Sequence, residues 1–354
     1  MTDQAQNHRQ TRPLGRSDVR LSRLGFGAAP IGNLYRACPE AEALGAVEAA
    51  RSAGIAYFDT APHYGFGLSE RRLGQGLAGA DQAVVSTKVG RRLEAIDPMD
   101  AAGTRHGFAD APALEPVFDY TYEGVMRSFE ASLERLGRGS VDILWAHDLG
   151  EVTHGREDSK RWQEFMSGGY PAMAELREAG VVKAIGLGAN EWQVCARALS
   201  EGEFDGFLLA GRYTLLDQGA LDEFLPLCAR RGASVVLGGP FNSGILATGV
   251  KGPGPHHYNY EPAPAEVIER VGRIERICAE HRVPMAAAAL QFPAAHPQVG
   301  TVLAGLASAA EVTRAVELMN WPLPAALWET LREADLIHPD APVPHSSEGS
   351  QKND

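Results

Sequence analysis

Residues 55–65 read IAYFDTAPHYG, a short apolar run that ends on Asp59 and opens into a loop punctuated by Pro62 and Gly65. The run is long enough for a buried strand and too short for a helix. Seven more stretches share its form: RLGFGAA (23–29), AVVSTK (83–88), VDILWAH (141–147), VKAIGLG (182–188), FDGFLLA (204–210), ASVVLGG (233–239) and GTVLAG (300–305). Between them lie amphipathic helical patterns at 40–54, 121–137, 170–180, 191–202, 221–232 and 264–281, most of which close on Gly, the usual helix stop. Strands alternating with helices predict parallel pairing through right-handed crossovers. Eight such strands predict a closed (β/α)8 TIM barrel rather than an open doubly wound sheet.

Three connections are too long for simple turns: 90–119, 148–169 and 247–264. All follow strand C-termini, the face on which barrel active sites are built, so they are predicted pocket or lid segments. The expected organisation is a disordered tail over 1–12, one barrel domain over 13–339 and a disordered polar tail over 340–354.

The chain has 354 residues, 44% hydrophobic, enough to bury a large core. A net charge of −12 disfavours nucleic acid and anionic membrane as partners, because both attract cations. No run of about 18 apolar residues is present, and the first dozen residues are polar, without the apolar stretch of a signal peptide. Cys38, Cys195, Cys228 and Cys278 lack metal-ligand spacing and read as reduced core thiols. These features predict a cytoplasmic protein with no metal; they are compatible with an enzyme without identifying one.

Three consecutive strands deliver titratable groups to the same end. IAYFDT brings Asp59 with Tyr64 just beyond it, AVVSTK brings Lys88, and VDILWAH brings His147. A phenol with a pKa near about 10 shuttles protons poorly at neutral pH. A buried lysine cation favours the phenolate, and an aspartate holds that lysine. A neutral histidine can then orient a substrate oxygen. Such a set suits carbonyl–alcohol interconversion, with the proton exchanged at oxygen and a hydride carried by a cofactor. There is no HExxH, no nucleophile elbow and no YxxxK.

The strings YFDTAPHYG (57–65), STKVG (86–90) and VDILWAHD (141–148) resemble the aldo-keto reductase superfamily, over nearly the whole chain. Within it, APIGNLYRA (29–37), HYGFGLSERRLG (63–74), LLAGRYTLLDQ (208–218), PFNSGILA (240–247) and AAALQFPAAHP (287–297) are most similar to the aldose 1-dehydrogenase and pyridoxal 4-dehydrogenase group. The resemblance implies a catalytic tetrad of Asp59, Tyr64, Lys88 and His147. In it Tyr64 is the general acid or base, Lys88 and Asp59 tune it, and His147 binds the substrate oxygen.

The resemblance also implies a nicotinamide cofactor laid across the late strands, since no GxGxxG fingerprint follows the first strand. Gly27 and Gly32 read instead as shaping a barrel loop. Asn190 keeps one member of the family's carboxamide-binding Ser-Asn pair, and Ala189 replaces the serine. The family's glutamine falls at Ala210 or Gly211, and its stacking tyrosine at Gly238. Phe241 is the substitute stacking candidate, and the turn containing Pro240, Phe241, Asn242 and Gly244 is placed to cradle the pyrophosphate. At the adenosine end, Gly305 opens the segment AGLASAAEV (304–312), in which Ala307 takes the position of a 2′-phosphate-binding arginine. Glu311 is placed to accept from a ribose hydroxyl or the adenine amine. The expected cofactor is NAD, with NADP as the alternative.

Tyr35, Trp145, Asp148 and Arg212 are the expected substrate residues, with Phe108, Phe118 and Tyr258 as further rim candidates. The group resemblance implies a neutral cyclic hemiacetal, either an aldose such as L-fucose or D-arabinose at C1, or pyridoxal. The other readings are a general NADPH-dependent aldehyde or ketone reductase and, in a different class, a nucleotide-sensing regulatory subunit.

Overall fold

A computed structural model of the chain describes residues 7–259 and 261–344. Eight parallel strands close into a barrel, numbered here β1 (Leu24–Gly27), β2 (Tyr57–Asp59), β3 (Val84–Val89), β4 (Ile143–His147), β5 (Ala184–Ala189), β6 (Gly206–Ala210), β7 (Ser234–Gly238) and β8 (Val299–Gly305). Neighbours in sequence are neighbours in space, and β8 closes on β1 through Leu24 opposite Val302. Each of the eight expected strands is present, shortened by a residue or more at most ends.

The strands are near-continuously apolar because both of their faces are covered. Helices such as Glu40–Ala53, Tyr122–Leu136 and Ala265–Glu280 pack outside, and side chains fill the inside. The inner filling at the N-terminal end includes Leu14, Leu21, Tyr57, Ile143, Trp145 and Val236. Trp145 belongs to that filling. It is fully buried, stands in register with Lys88 and Gly186, and packs over the missing side chain of Gly186, where a Cβ would lie 2.5 Å from the indole. Its expected place at the substrate rim is therefore corrected. A side chain in mid-strand faces the barrel interior one layer below the mouth.

The long connections differ from one another. Residues 90–119 form two small ladders, Arg91–Ala95 with Leu114–Phe118 and Thr104–Arg105 with Phe108–Ala109. Residues 148–169 are mostly helical (Glu151–His154, Asp158–Glu164 and a π-turn over Phe165–Gly169) rather than an open loop. In 247–264 only a two-residue pairing of His257–Tyr258 with Glu261–Pro262 forms. The helix Leu68–Gly76, directly after the Tyr64 loop, is an element the apolar periodicity did not mark.

The ordered chain is longer than expected at both ends. Thr11–Pro13 pairs with Arg20–Ser22 across the barrel floor, and His8 is buried with its Nε2 2.9 Å from the Ala53 carbonyl. At the other end Ala341 is buried and accepts from Arg332 Nη2 at 2.8 Å. The remaining tail residues, 1–6 and 345–354, lie outside the described residues. All four cysteines are free and buried. No helix among the described residues is long and apolar enough to cross a membrane.

Candidate active site

At the strand C-termini a cavity of about 460 Å3 is lined by Tyr64, Lys88 and His147 together with Ala29, Leu34, Tyr35, His63, Arg91, His106, Gly107, Phe108, Asp148, Gly188, Ala189, Asn190, Leu208 and Ala210. That volume is ordinary for a small-molecule site. Asp59 lies beneath this surface. Its Oδ2 accepts from Lys88 Nζ at 2.6 Å, and its Oδ1 accepts from Ser86 Oγ at 2.7 Å. Ser86 is in turn 2.8 Å from the hydroxyl of Tyr57. Lys88 Nζ also donates to the Thr60 carbonyl at 2.8 Å.

Both members of the Lys88–Asp59 pair are essentially unexposed. Burial pulls the ammonium down from its ordinary pKa and pushes the carboxyl up, so each is drawn towards neutrality; their mutual contact opposes both shifts. Lys88 Nζ stands 4.5 Å from the centre of the Tyr64 ring, and the His147 ring meets Tyr64 edge-on at 5.9 Å. Burial, then the cations Arg91 and Lys88, hold His147 well below the ordinary histidine pKa. At neutral pH His147 is therefore an uncharged imidazole. His63 is held down to about 2 by burial and then by Arg91 and His147.

Two glycines fix the tyrosine loop. Gly65 adopts φ +61, and a Cβ on it would lie 2.2 Å from the Gly32 carbonyl oxygen. A Cβ on Gly32 would in turn lie 2.8 Å from the Tyr64 carbonyl oxygen. The β1 loop and the Tyr64 loop thus touch backbone to backbone, which only glycine permits. Below them Ser69 Oγ donates to the Ala28 carbonyl at 2.7 Å and pairs with Thr60 at 2.8 Å.

Of the expected rim residues, Tyr35, Phe108 and Asp148 line the cavity. Tyr35 N donates to the Gly107 carbonyl at 2.7 Å, tying the β1 loop to the hairpin tip. Arg212 is outside the lining: its guanidinium is taken up by the Asn190 carbonyl (2.7 Å), Asn259 Oδ1 (3.0 Å) and Asp217 (3.4 Å). Phe118 lies beneath Arg91, whose guanidinium stacks over its ring at 4.5 Å, and Tyr258 also falls outside the lining. Arg91, His63 and His106 are lining residues that the sequence reading missed. Arg91 carries the same signal that marked Asp148, a charged residue just past a barrel strand.

The late strand ends carry the expected cofactor residues. Ala189, Asn190 and Ala210 reach the cavity. Gly238 ends β7, and Pro240, Phe241, Asn242 and Gly244 follow it in a turn bent by left-handed φ values at Gly239 (+61), Asn242 (+45), Ser243 (+59) and Gly244 (+94). Within this turn the expected amide cradle is partly used up, since Asn242 N donates to the Gly239 carbonyl at 3.1 Å and Gly244 N to the Phe241 carbonyl at 3.0 Å. Asn242 Oδ1 is buried with no hydrogen-bond partner among the described residues, an acceptor waiting for a donor. Gly305 ends β8, and Ala307 N donates to Glu311 Oε2 at 2.7 Å. Arg36 Nη2 approaches Glu311 at 3.6 Å and Glu42 at 3.6 Å. The unpartnered Asn242 Oδ1 and the small residues Ala189 and Ala210 at the strand ends are compatible with a dinucleotide across the late strands.

The model of the Aldo/keto reductase family matches residues 23–336. The chain is 43% identical over 342 residues to pyridoxal 4-dehydrogenase of Microbacterium luteolum, covering 93% of this chain and 98% of that protein. It is 41% identical over 319 residues to D-threo-aldose 1-dehydrogenase of a Pseudomonas species, covering 89% and 94%. Among solved structures, an aldo-keto reductase of Bacillus halodurans in its holo form superposes with a TM-score of 0.71 at 26% identity, over 96% of this chain and 99% of that one. A glycerol dehydrogenase of Gluconobacter oxydans shares the fold with a TM-score of 0.72 at 19% identity, over 95% and 98%.

Proposed function

The chain belongs to the aldo/keto reductase family and is a nicotinamide-dependent oxidoreductase; from that premise we propose that it is a cytoplasmic dehydrogenase oxidising a neutral cyclic hemiacetal to the lactone, with NAD as acceptor. The substrate class is that of an aldose such as L-fucose or D-arabinose at C1. Pyridoxal, the substrate named for one relative, is the second reading, carried by the 43% identity to that enzyme.

The observation that carries the proposal is the division of labour between Tyr64 and His147. Both line the cavity, and either residue type can serve as a base. His147 is held neutral by burial beside two cations, so at neutral pH it has little capacity to keep a proton. The ammonium of Lys88 against the Tyr64 ring favours negative charge on the phenol oxygen. Tyr64 therefore takes the hydroxyl proton, and His147, as a neutral imidazole, orients the oxygen that loses it. Asp59 keeps Lys88 charged in a site from which water is excluded. Bound NAD supplies the acceptor for the hydride.

Asn190 and the turn after β7 are assigned to the nicotinamide and pyrophosphate ends, with Ala189 and Ala210 leaving room there. Ala307 offers no cation to a 2′-phosphate, a partner worth about 1.5–3 kcal/mol. Glu311 beside it is engaged by the Ala307 amide and by Arg36, so the support for NAD over NADP rests on the side chain at 307. The charges around the cavity pair as Lys88 with Asp59 and Arg91 with Asp148, leaving no free Lys or Arg among the described lining residues to demand a phosphorylated substrate. Turnover with NAD and, separately, L-fucose, D-arabinose and pyridoxal tests the reading. Growth of reduced-nicotinamide absorbance with an aldose supports it. Silence with every hemiacetal, together with fast NADPH oxidation by simple aldehydes, refutes it.

A further inference from the structure

Beside the tetrad is a second buried ion pair that the proton chemistry does not use. Arg91 Nη2 donates to Asp148 Oδ2 at 2.5 Å, and both side chains are at least 85% buried. The rest of the carboxylate is also engaged. Asn190 Nδ2 donates to Oδ1 at 3.2 Å, and His147 Nε2 stands 3.4 Å from Oδ2. Arg91 is fixed in its turn, with its guanidinium carbon 4.5 Å over the Phe118 ring and its Nη1 3.4 Å from His63 Nδ1. Its Nε is buried and has no partner among the described residues.

The backbone at Asp148 is unusual. It sits at φ +56, a left-handed conformation that non-glycine residues seldom hold, secured by its N–H to the Gly188 carbonyl at 2.7 Å. Strain of this kind persists where the surroundings over-determine it, and it gathers at functional sites. Here it turns the carboxylate from the end of β4 into the cavity that holds Tyr64 and His147.

We infer that Arg91 and Asp148 together form the specificity element of this site, recognising a hydroxyl pair next to the reacting carbon of a polyhydroxylated substrate. A fixed donor and a fixed acceptor side by side match a vicinal diol, in which one hydroxyl accepts from the guanidinium and its neighbour donates to the carboxylate. A simple alcohol or aldehyde carries no such hydroxyl pair and gains nothing from either group, while the pair stays satisfied by its own salt bridge. Because Asn190 holds the far oxygen of the same carboxylate, the element also links the substrate's hydroxyls to the cofactor end of the cavity. This inference rests on the hemiacetal reading above and narrows it.

The test compares L-fucose with 2-deoxy-L-fucose, NAD as acceptor, in wild type and in the variants Arg91→Lys and Asp148→Asn. The wild type should prefer L-fucose by about tenfold to a hundredfold in kcat/KM, the range expected for one charge-assisted hydrogen bond. Both variants should lose most of that ratio, chiefly through a higher KM for L-fucose. Quenching of tryptophan fluorescence by NAD, measured alongside, establishes that each variant is folded. Equal wild-type turnover of the two sugars overturns the inference without any variant, as does a ratio unchanged in both folded variants. A wild type inactive on every hemiacetal overturns the hemiacetal reading itself, and this inference falls with it.

Discussion

Lys88 Nζ lies 2.6 Å from Asp59 Oδ2, and both side chains are only 1% exposed. Neither charge reaches water, so each depends on the other. Removing one partner of such a pair strands the other and costs about 3–5 kcal/mol. Asp59→Asn should therefore lower stability by an amount of that order, visible as a lower urea midpoint with an unchanged m-value. It should also release Lys88 to its neutral form, the direction in which burial already drives it. With the cation gone from the Tyr64 ring, the rise of kcat with pH should move to higher pH. An unchanged pH profile in a folded variant would detach Asp59 and Lys88 from the proton chemistry.

Gly65→Ala should be damaging although it adds one methyl. The new Cβ would meet the Gly32 carbonyl oxygen at 2.2 Å in a backbone of φ +61. The loop must shift, and Tyr64 sits next to it. Loss of kcat by at least about tenfold, with overall unfolding at a lower temperature, is the expected result; a one-ångström misplacement of a catalytic group can cost about a hundredfold. Gly79→Ala is the control, since it also has a positive φ (+73) but nothing within 4 Å of its added carbon.

Buried neutral histidines make the fold acid-sensitive. Their folded pKa values lie below the unfolded one, so the unfolded chain binds more protons and stability rises with pH. The contribution is complete above about pH 6.5 and is lost as pH falls from there towards the folded value. His296, held down to about 4 by burial and then by Arg12, lies at the end of the barrel remote from the tetrad. Between pH 6.5 and 4 it should contribute a slope of up to about 1.4 kcal/mol per pH unit. His296→Asn should flatten the fall in unfolding free energy over this window by about one proton, measured by urea titration at half-unit steps. An identical slope would contradict the burial argument.

Ala307→Arg should move cofactor preference towards NADP. The arginine would gain the 2′-phosphate as a partner, and the NADP/NAD ratio of kcat/KM should rise by at least about tenfold. A wild type that already uses the two cofactors equally would contradict the assignment of NAD.

The barrel was legible because both faces of a parallel strand are buried, so all eight strands read as short apolar runs. The convergence of Asp59, Lys88 and His147 on one end of the barrel was legible for a related reason: a charged or polar residue closing such a run stands out. The same rule misled at Trp145, where only the register with Lys88 and Gly186 shows that the indole faces the packed interior. Arg212 also obeyed the rule but spends its guanidinium on the Asn190 carbonyl and two side chains of neighbouring loops. Arg91 was legible by the same rule as Asp148, a charge just past a barrel strand, but its pairing with Asp148, 57 positions later, and with Phe118 across a hairpin ladder was not. No local pattern records pairings at that separation. The N-terminal hairpin was hidden likewise, since Thr11–Pro13 is polar and forms a strand only by pairing with Arg20–Ser22.

In the proposed reaction Tyr64 carries the proton while its neighbours only prepare it. The most direct test is Tyr64→Phe, measured for NAD binding by fluorescence and for turnover of the best hemiacetal substrate across pH 6 to 10. Unchanged NAD affinity with kcat lowered by about a thousandfold, and no residual rise with pH, is the predicted result, in line with the usual worth of a positioned acid or base. Activity within tenfold of the wild type, still rising with pH, would contradict it and return the role of base to His147.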